Sequence, residues 1–413
     1  KLNIHSCTLL KVIFDVGHEK KAVQNQFKLY SLTLFSSTNN VINRDLWLSI
    51  ILSLSAHHLR SLSLTFLQKS MVLRDIELVR LSSLFVNLRH CVLNISVSNV
   101  ASGITVESKS LKTLNLHVEA AESILIKCDN LRELDITNEI STVIKSPRLQ
   151  LLSCSHINKF SKISFQPSSL EVQGSKKPML SSLNQLDLKN IREMNISKLL
   201  SSDFDVINLT HLNLSISVLD HQFNNDTFQH LLNKCRKLIK INVESQHGMS
   251  QVVLSDMRDL SCVRIKSATL RTVSLNKLPK LTSISLHFCD SFHSFVFEPQ
   301  VSPKSLPGTR TIQPAAISPD CFAPNLLFVD LRLTAIGNFA CCRLMSRCPK
   351  LICIRVDFCK KLTTSFKTLL TKANQNGDFD TAREKGELLS GDVVKKKEKS
   401  SSKKKKNAVI EIL

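Results

Sequence analysis

The stretch that decides the fold reads Cys348-Pro349-Lys350-Leu351-Ile352-Cys353-Ile354-Arg355-Val356-Asp357-Phe358-Cys359-Lys360-Lys361-Leu362-Thr363. Leu351, Ile354 and Val356 stand in the pattern L-x-x-L-x-L. In an extended chain alternate side chains point to opposite faces, so Ile354 and Val356 share one face while Cys353, Arg355 and Asp357 share the other. The first set is apolar and the second is not. That is a short strand with one buried side.

The same core recurs along the chain, beginning at Leu29, Leu59, Leu88, Leu111, Leu131, Leu149, Leu183, Leu209, Leu238, Leu281, Leu326 and Leu351. Most intervals between starts fall within or close to the period of leucine-rich repeats, about 20–29 residues. One such unit cannot bury its apolar face alone; stacked units share a continuous core. The expected fold is therefore α/β, a leucine-rich-repeat horseshoe with a curved parallel sheet and a convex side of mixed helices and short strands.

Two kinds of return path are expected. Asp226 to Cys235 and Gly337 to Cys348 carry helical apolar spacing and end in a cysteine, and the run from Asp45 to Leu54 is similar. Between Leu111 and Leu183 the repeats are shorter, and Ser123–Cys128 and Thr142–Lys145 suit short convex strands. The region from Leu260 to Leu286, with Leu270-Arg271-Thr272-Val273-Ser274-Leu275 inside it, suits the same reading. Residues 1–28 form a cap or the start of the array, and the array itself spans 29–371. A proline-rich loop interrupts it at about 298–320, and 372–413 is expected to be a disordered basic tail, because its like charges repel and its apolar content is low.

Composition excludes several activities. The chain has only nine glycines and no G-x-G-x-x-G or G-x-x-x-x-G-K-[ST], so it lacks the close backbone approach that cradles phosphates. No H-E-x-x-H, G-x-S-x-G or clustered carboxylates occur, and no catalytic residue is expected. The thirteen cysteines include no C-x-x-C pair, which points to buried thiols in a reducing compartment rather than to a disulfide framework or a zinc site. Neither metal nor cofactor is expected. No apolar run is long enough to span a bilayer, and a cytoplasmic or nuclear location is expected.

The Cys348–Thr363 spacing, C-P-x-L-x-x-I-x-V-x-x-C-x-x-L-T, resembles the cysteine-containing repeat of the F-box/leucine-rich-repeat family. Leu281, which follows Leu278-Pro279-Lys280, is similar without the cysteine. The resemblance covers roughly residues 29–370. It implies the substrate-recognition arm of an F-box-type ubiquitin ligase, which positions a target and catalyses nothing itself. It also implies that Cys348 and Cys359 act as small buried hydrophobes, and that an adaptor-binding F-box lies upstream. Residues 1–28 contain no Leu-Pro-x-Glu-type segment.

What remains is a surface. The residues flanking the second leucine of each core face outward on the concave side. They give Glu133 and Asp135, Gln185 and Asp187, His211 and Asn213, Lys240 and Asn242, Phe328 and Asp330, then Arg355, with Arg332 and Asp357 one step further. These rows are polar, of both signs and poor in aromatics. A protein ligand fits them better than nucleic acid, because phosphate tracking wants Lys/Arg rows and base stacking wants aromatics. Formal net charge is +21; residues from Lys372 onward carry 11 basic and 7 acidic side chains, so +17 belongs to the body. That excess is expected on the convex and lateral faces. Lys395, Lys396, Lys397, Lys399, Lys403, Lys404, Lys405 and Lys406 are a candidate nuclear-localisation signal. A ligase-independent interaction scaffold and a basic nuclear nucleic-acid-associated protein are the other readings.

Overall fold

The computed structural model describes residues 2–4, 30–36, 58–66, 87–95, 104–118, 123–137, 141–156, 163–165, 182–191, 206–216, 223–246, 248–297 and 323–386. The helix expected at 45–54, the proline-rich loop at 298–320 and the eight tail lysines lie outside them. Two compact units divide the chain, Lys1–Gln222 and Phe223–Leu413.

The first unit runs β1 (Leu2–Ile4), β2 (Ser31–Ser36), β3 (Ser61–Phe66), β4 (His90–Ile95), β5 (Ile104–Glu107), β6 (Thr113–Val118), β7 (Ser123–Lys127), β8 (Glu133–Thr137), β9 (Ser141–Lys145), β10 (Leu151–Ser155), β11 (Ile163–Phe165), β12 (Gln185–Ile191) and β13 (His211–Ile216). Its main sheet has the order β1-β2-β3-β4-β6-β8-β10-β12-β13, and a second sheet has the order β11-β9-β7-β5. These pairings are parallel and join successive repeats. The two sheets bury their facing sides on each other. Leu114, Leu116, Leu134, Ile136, Leu152 and Cys154 point in from the main sheet and meet Ile124, Ile126 and Ile144 from the second, all at 2% exposure or less. Each such side chain stabilises by about 1.5–3 kcal/mol relative to exposure.

The second unit runs α1 (Asn225–Lys234), β14 (Lys240–Ser245), β15 (Gln251–Ser255), β16 (Cys262–Lys266), β17 (Thr272–Asn276), β18 (Ser283–Ser285), β19 (Ser294–Val296), β20 (Phe328–Asp330), α2 (Asn338–Arg347), β21 (Cys353–Arg355) and α3 (Thr364–Asn376). Strands β14, β16, β18, β20 and β21 are parallel neighbours in the main sheet, and β15, β17 and β19 form the convex sheet. Helix α1 is held by a reciprocal capping box between Asn224 and Thr227. Its Asn225 Oδ1 accepts from Ser250 N (2.8 Å) and Gln251 N (3.1 Å), and Gln229 Oε1 accepts from Val253 N (3.1 Å). These side-chain amides occupy the donors of β15 where the convex sheet would otherwise end unpaired.

The shortest repeats return by convex strands, and the described helices occur only in longer ones. The long repeats from Leu151 to Gln185 and from Ser283 to Phe328 nevertheless also carry a convex strand, β11 and β19. The repeats from Thr113 to its register partner Glu133, and from Glu133 to Leu151, are short, and both return by convex strands. Lys240 to Cys262 is little longer and again returns by a strand. The repeat from Phe328 to Cys353 is longer still, and there the ten-residue helix α2 fits. A helix advances only about 1.5 Å per residue and needs the longer connection. Each unit is a leucine-rich-repeat solenoid.

Two expectations change. Leu260-Ser261-Cys262-Val263-Arg264-Ile265 is a full repeat core whose strand β16 lies in the main sheet between β14 and β18, not a convex segment. Val263 and Ile265 match the pattern as well as Val329 does in the Leu326 core, and the repeat is passed over because the whole 260–286 region reads as short convex strands. The array also does not end at residue 371. Helix α3 continues to Asn376, and a further helical segment covers 379–386. Phe379 and Ala382 are buried, and a side chain at Gly386 would meet Cys342 Sγ at 2.8 Å. Arg383 donates to Met345 O (2.7 Å), Cys348 O (3.2 Å) and Pro349 O (3.2 Å), satisfying carbonyls at the end of α2. Sparse apolar periodicity conceals this cap, because one phenylalanine, one alanine and one arginine build it.

Candidate functional site

Strand alternation and register place every sequence-predicted concave residue on the open face of one of the main sheets. In the first unit Glu133 and Gln185 both register with Leu151, and His211 registers with Gln185. One step along, Asn115, Asp135, Ser153, Asp187 and Asn213 form a second row. That row is knitted together. Asp135 accepts from Asn115 Nδ2 (3.3 Å) and Ser153 Oγ (2.9 Å). Asp187 accepts from Asn213 Nδ2 (2.7 Å) and pairs with Lys189 Nζ at 2.7 Å. His211 Nδ1 lies 2.9 Å from Thr210 Oγ1. The described charged residues on this face are Lys189 against Glu133, Asp135 and Asp187, a formal −2.

The second unit's open face differs. Lys240 registers with Cys262, Ser283, Phe328 and Cys353; Asn242 registers with Arg264, Ser285, Asp330 and Arg355. Glu244 pairs with Lys266. Arg332 grips Asp330 through Nε (3.0 Å to Oδ1) and Nη2 (2.7 Å to Oδ2). Burial pushes the Asp330 carboxyl up, but the Arg332 hydrogen bonds and charge outweigh it and hold it below the usual carboxylate range. His287 is depressed by burial first and then by the Arg264 charge, against an opposing Asp330, with Arg332 and Lys266 adding to the depression. Arg264 and Arg355 make no side-chain hydrogen bond or ion pair among the described residues. Lys240, Arg264, Lys266, Arg332 and Arg355 against Glu244, Asp330 and Asp357 give a formal +2. Sequence reasoning overlooks Arg264, Lys266 and His287 because the Leu260 repeat hides from it.

Beside this face runs a feature the motif does not announce. Phe288, Leu333 and Phe358 each stand two residues past the last inward residue of their strand, with φ of 60°, 57° and 62°. Phe288 N donates to Arg332 O (3.1 Å) and Leu333 N to Asp357 O (3.0 Å), so the three lie side by side. His156, Asp256 and Lys277 occupy the same left-handed turn elsewhere and are polar. Left-handed backbone disfavours bulky side chains, yet Phe288 is 49% and Phe358 is 73% exposed. Core packing does not account for them. Lys266 Nζ sits 5.4 Å from the Phe288 ring, and Phe328 is exposed on the strand face itself.

Most of the described thiols are core groups. Cys91, Cys128, Cys235, Cys289 and Cys348 are pushed up to about 12 by burial, and Cys154 and Cys341 are raised by the same cause. Cys359 is fully buried, and its Sγ donates to Leu331 O at 2.9 Å. Among the described residues no group of three or more His, Cys, Asp or Glu side chains is placed to hold a metal, and no helix is long and apolar enough to cross a membrane.

No family model and no curated protein matches the chain. Among solved structures it is similar to the crystal structure of the LRIM1/APL1C complex, at 14% identity and a TM-score of 0.30, over 98% of this chain and 73% of that one. The leucine-rich-repeat fold itself is fixed by the strand registers and the repeat core.

Proposed function

We propose that this chain is a non-catalytic protein-binding scaffold and that it serves as the substrate-recognition part of an F-box-type ubiquitin ligase. One observation carries the binding role: the second unit's open face sets Arg264 and Arg355, unpaired among the described residues, beside a ridge in which Phe288 and Phe358 are exposed and Leu333 is half-buried. Exposed aromatics next to arginines are the residue types that dominate protein interfaces. The ligase role is supported by the Cys348–Thr363 repeat, in which Cys348 and Cys359, the cysteines at the positions the resemblance assigns to buried thiols, are buried. A ligase-independent scaffold would present the same face, because fold does not fix function.

The test is affinity capture of the endogenous protein through these repeats, with and without proteasome inhibition. Terminal-peptide mass spectrometry on the same material reads its N-terminus. Recovery of a cullin-type adaptor, and of further proteins that accumulate on inhibition and are lost in an R355E/F358N double variant, is the expected result. Recovery of face-dependent partners without any adaptor would leave a scaffold and remove the ligase role.

A further inference from the structure

The lateral edge of the first unit, where chain enters each main-sheet strand, carries a second and differently built row. Backbone hydrogen bonds fix it: Arg60 N donates to Tyr30 O, Arg89 N to Arg60 O, Lys112 N to Arg89 O, Arg132 N to Lys112 O, Gln150 N to Arg132 O, Asn184 N to Gln150 O and Thr210 N to Asn184 O, at 2.7–2.9 Å. The edge therefore reads Tyr30, Arg60, Arg89, Lys112, Arg132, Gln150, Asn184, Thr210. Every side chain in it can donate a hydrogen bond, and none is acidic.

Four successive positions are cationic, about 4.8 Å apart as neighbouring strands are. Arg60, Arg89 and Arg132 are exposed and Lys112 is half-buried. The Arg89, Lys112 and Arg132 side chains make no hydrogen bond or ion pair among the described residues. Arg60 stacks on Tyr30, its Cζ 5.4 Å from the ring centroid, and Tyr30 is 48% exposed. Lys109 and Arg148 lie in the turns that lead into the same edge, with Asp129 as the acid among them. Loop positions like these normally mix signs; here the Arg89, Lys112 and Arg132 charges have no partner among the described residues.

We infer that this edge binds the phosphodiester backbone of single-stranded nucleic acid. A flat row one side chain wide tracks one strand rather than two. Arginine and lysine neutralise successive phosphates, glutamine, asparagine and threonine supply neutral donors, and Tyr30 offers one ring for a base. An acidic peptide fits less well, because among the described residues of the row only Tyr30 offers an apolar surface to seat a side chain between its charges. The inference is independent of the ligase reading, which concerns the other unit's open face.

Fluorescence anisotropy of the full chain with a labelled single-stranded RNA of about 20 nucleotides tests it. Four phosphate contacts predict a log K against log salt slope of about −3. R89E/R132E should cost about tenfold or more in affinity and bring the slope nearer zero by one or more. The comparison is repeated with the tail lysines Lys395–Lys397, Lys399 and Lys403–Lys406 changed to glutamine, so that the tail's own charge is separated. R89Q/R132Q, with circular dichroism matching the parent, guards against misfolding, and F339N on α2 should leave binding unchanged. Binding that disappears with the tail lysines and ignores R89E/R132E would overturn the inference. So would tighter binding of the matching duplex, or competition by polyglutamate at equal charge concentration.

Discussion

Asn374 supports a quantitative prediction about what ends the second unit. It lies on α3, over β21, and its amide treats the strand as a neighbouring strand would: Oδ1 accepts from Ile354 N at 2.9 Å and Nδ2 donates to Ile354 O at 2.7 Å. One side chain closes both backbone groups of a residue whose own side chain is fully buried. Asn374→Ala removes two hydrogen bonds worth about 1 kcal/mol each net. Asn374 is exposed enough for water to replace part of the loss, so the expected destabilisation is about 1–2 kcal/mol.

At an m-value of about 2 kcal/mol/M, this is a drop of about 0.5–1 M in the urea midpoint of the second unit's transition. Hydrogen exchange adds a local reading: the Ile354 amide should lose protection more than the Val329 amide one strand inward. Asn374→Asp keeps the acceptor for Ile354 N but sets a carboxylate against Ile354 O, and should be at least as damaging. An unpaired edge also invites strand addition, so Asn374→Ala should sediment with a concentration-dependent tail. An unchanged midpoint with unchanged Ile354 protection would refute the assignment of Asn374 as the edge cap.

Three further outcomes follow. Thiols held near 12 are almost wholly protonated at about pH 8, so brief native alkylation should spare Cys91, Cys128, Cys235, Cys289 and Cys348 while, among the described cysteines, the half-buried Cys262 and Cys353 react first, as read by peptide mass spectrometry. Gly248 has φ of 90°, and an added Cβ would lie 1.9 Å from Phe223 O; Gly248→Ala should cost about 2 kcal/mol or more in thermal or urea unfolding. His287 faces Arg264, Lys266 and Arg332 on one side of the balance and Asp330 on the other, and its folded-state pKa is below the ordinary 6.5. The unfolded chain therefore takes up the proton first, and stability should fall as pH drops from 6.5 toward the folded-state value. His287→Asn should flatten that slope in urea titrations across the same window.

The repeat core makes most of the fold legible because buried leucines at L-x-x-L-x-L spacing have one physical use. Cys353, Arg355 and Asp357 can be put on the open face from alternation alone. The Leu260 repeat escapes because two similar cores, at Leu260 and Leu270, lie close together, and the sequence does not say which strand joins the main sheet and which the convex one. The 379–386 cap escapes it because its hold comes from Arg383 reaching carbonyls 34–38 residues earlier, a pairing no local pattern encodes. The Phe288–Leu333–Phe358 ridge and the Tyr30–Thr210 edge present the same obstacle. Their members are ordinary one by one, and only register shows that they are neighbours.

Register also decides which ligand each surface of the first unit can take. Arg132 and Asp135 stand close together in one repeat, yet Arg132 belongs to an edge of cations and Asp135 to a face of acids. On that face Asp135 and Asp187 already accept from Asn115, Ser153, Asn213 and Lys189. A ligand placed there meets carboxylates that are already partly satisfied within the protein. Arg89, Lys112 and Arg132 have no protein partner to lose among the described residues, so each phosphate they meet is a gain limited only by released water and ions. A polyanion straying from the edge toward the face meets Glu133, Asp135 and Asp187 within the width of one strand. For a strand bound as inferred, these acids would repel the phosphates and so limit it to the edge.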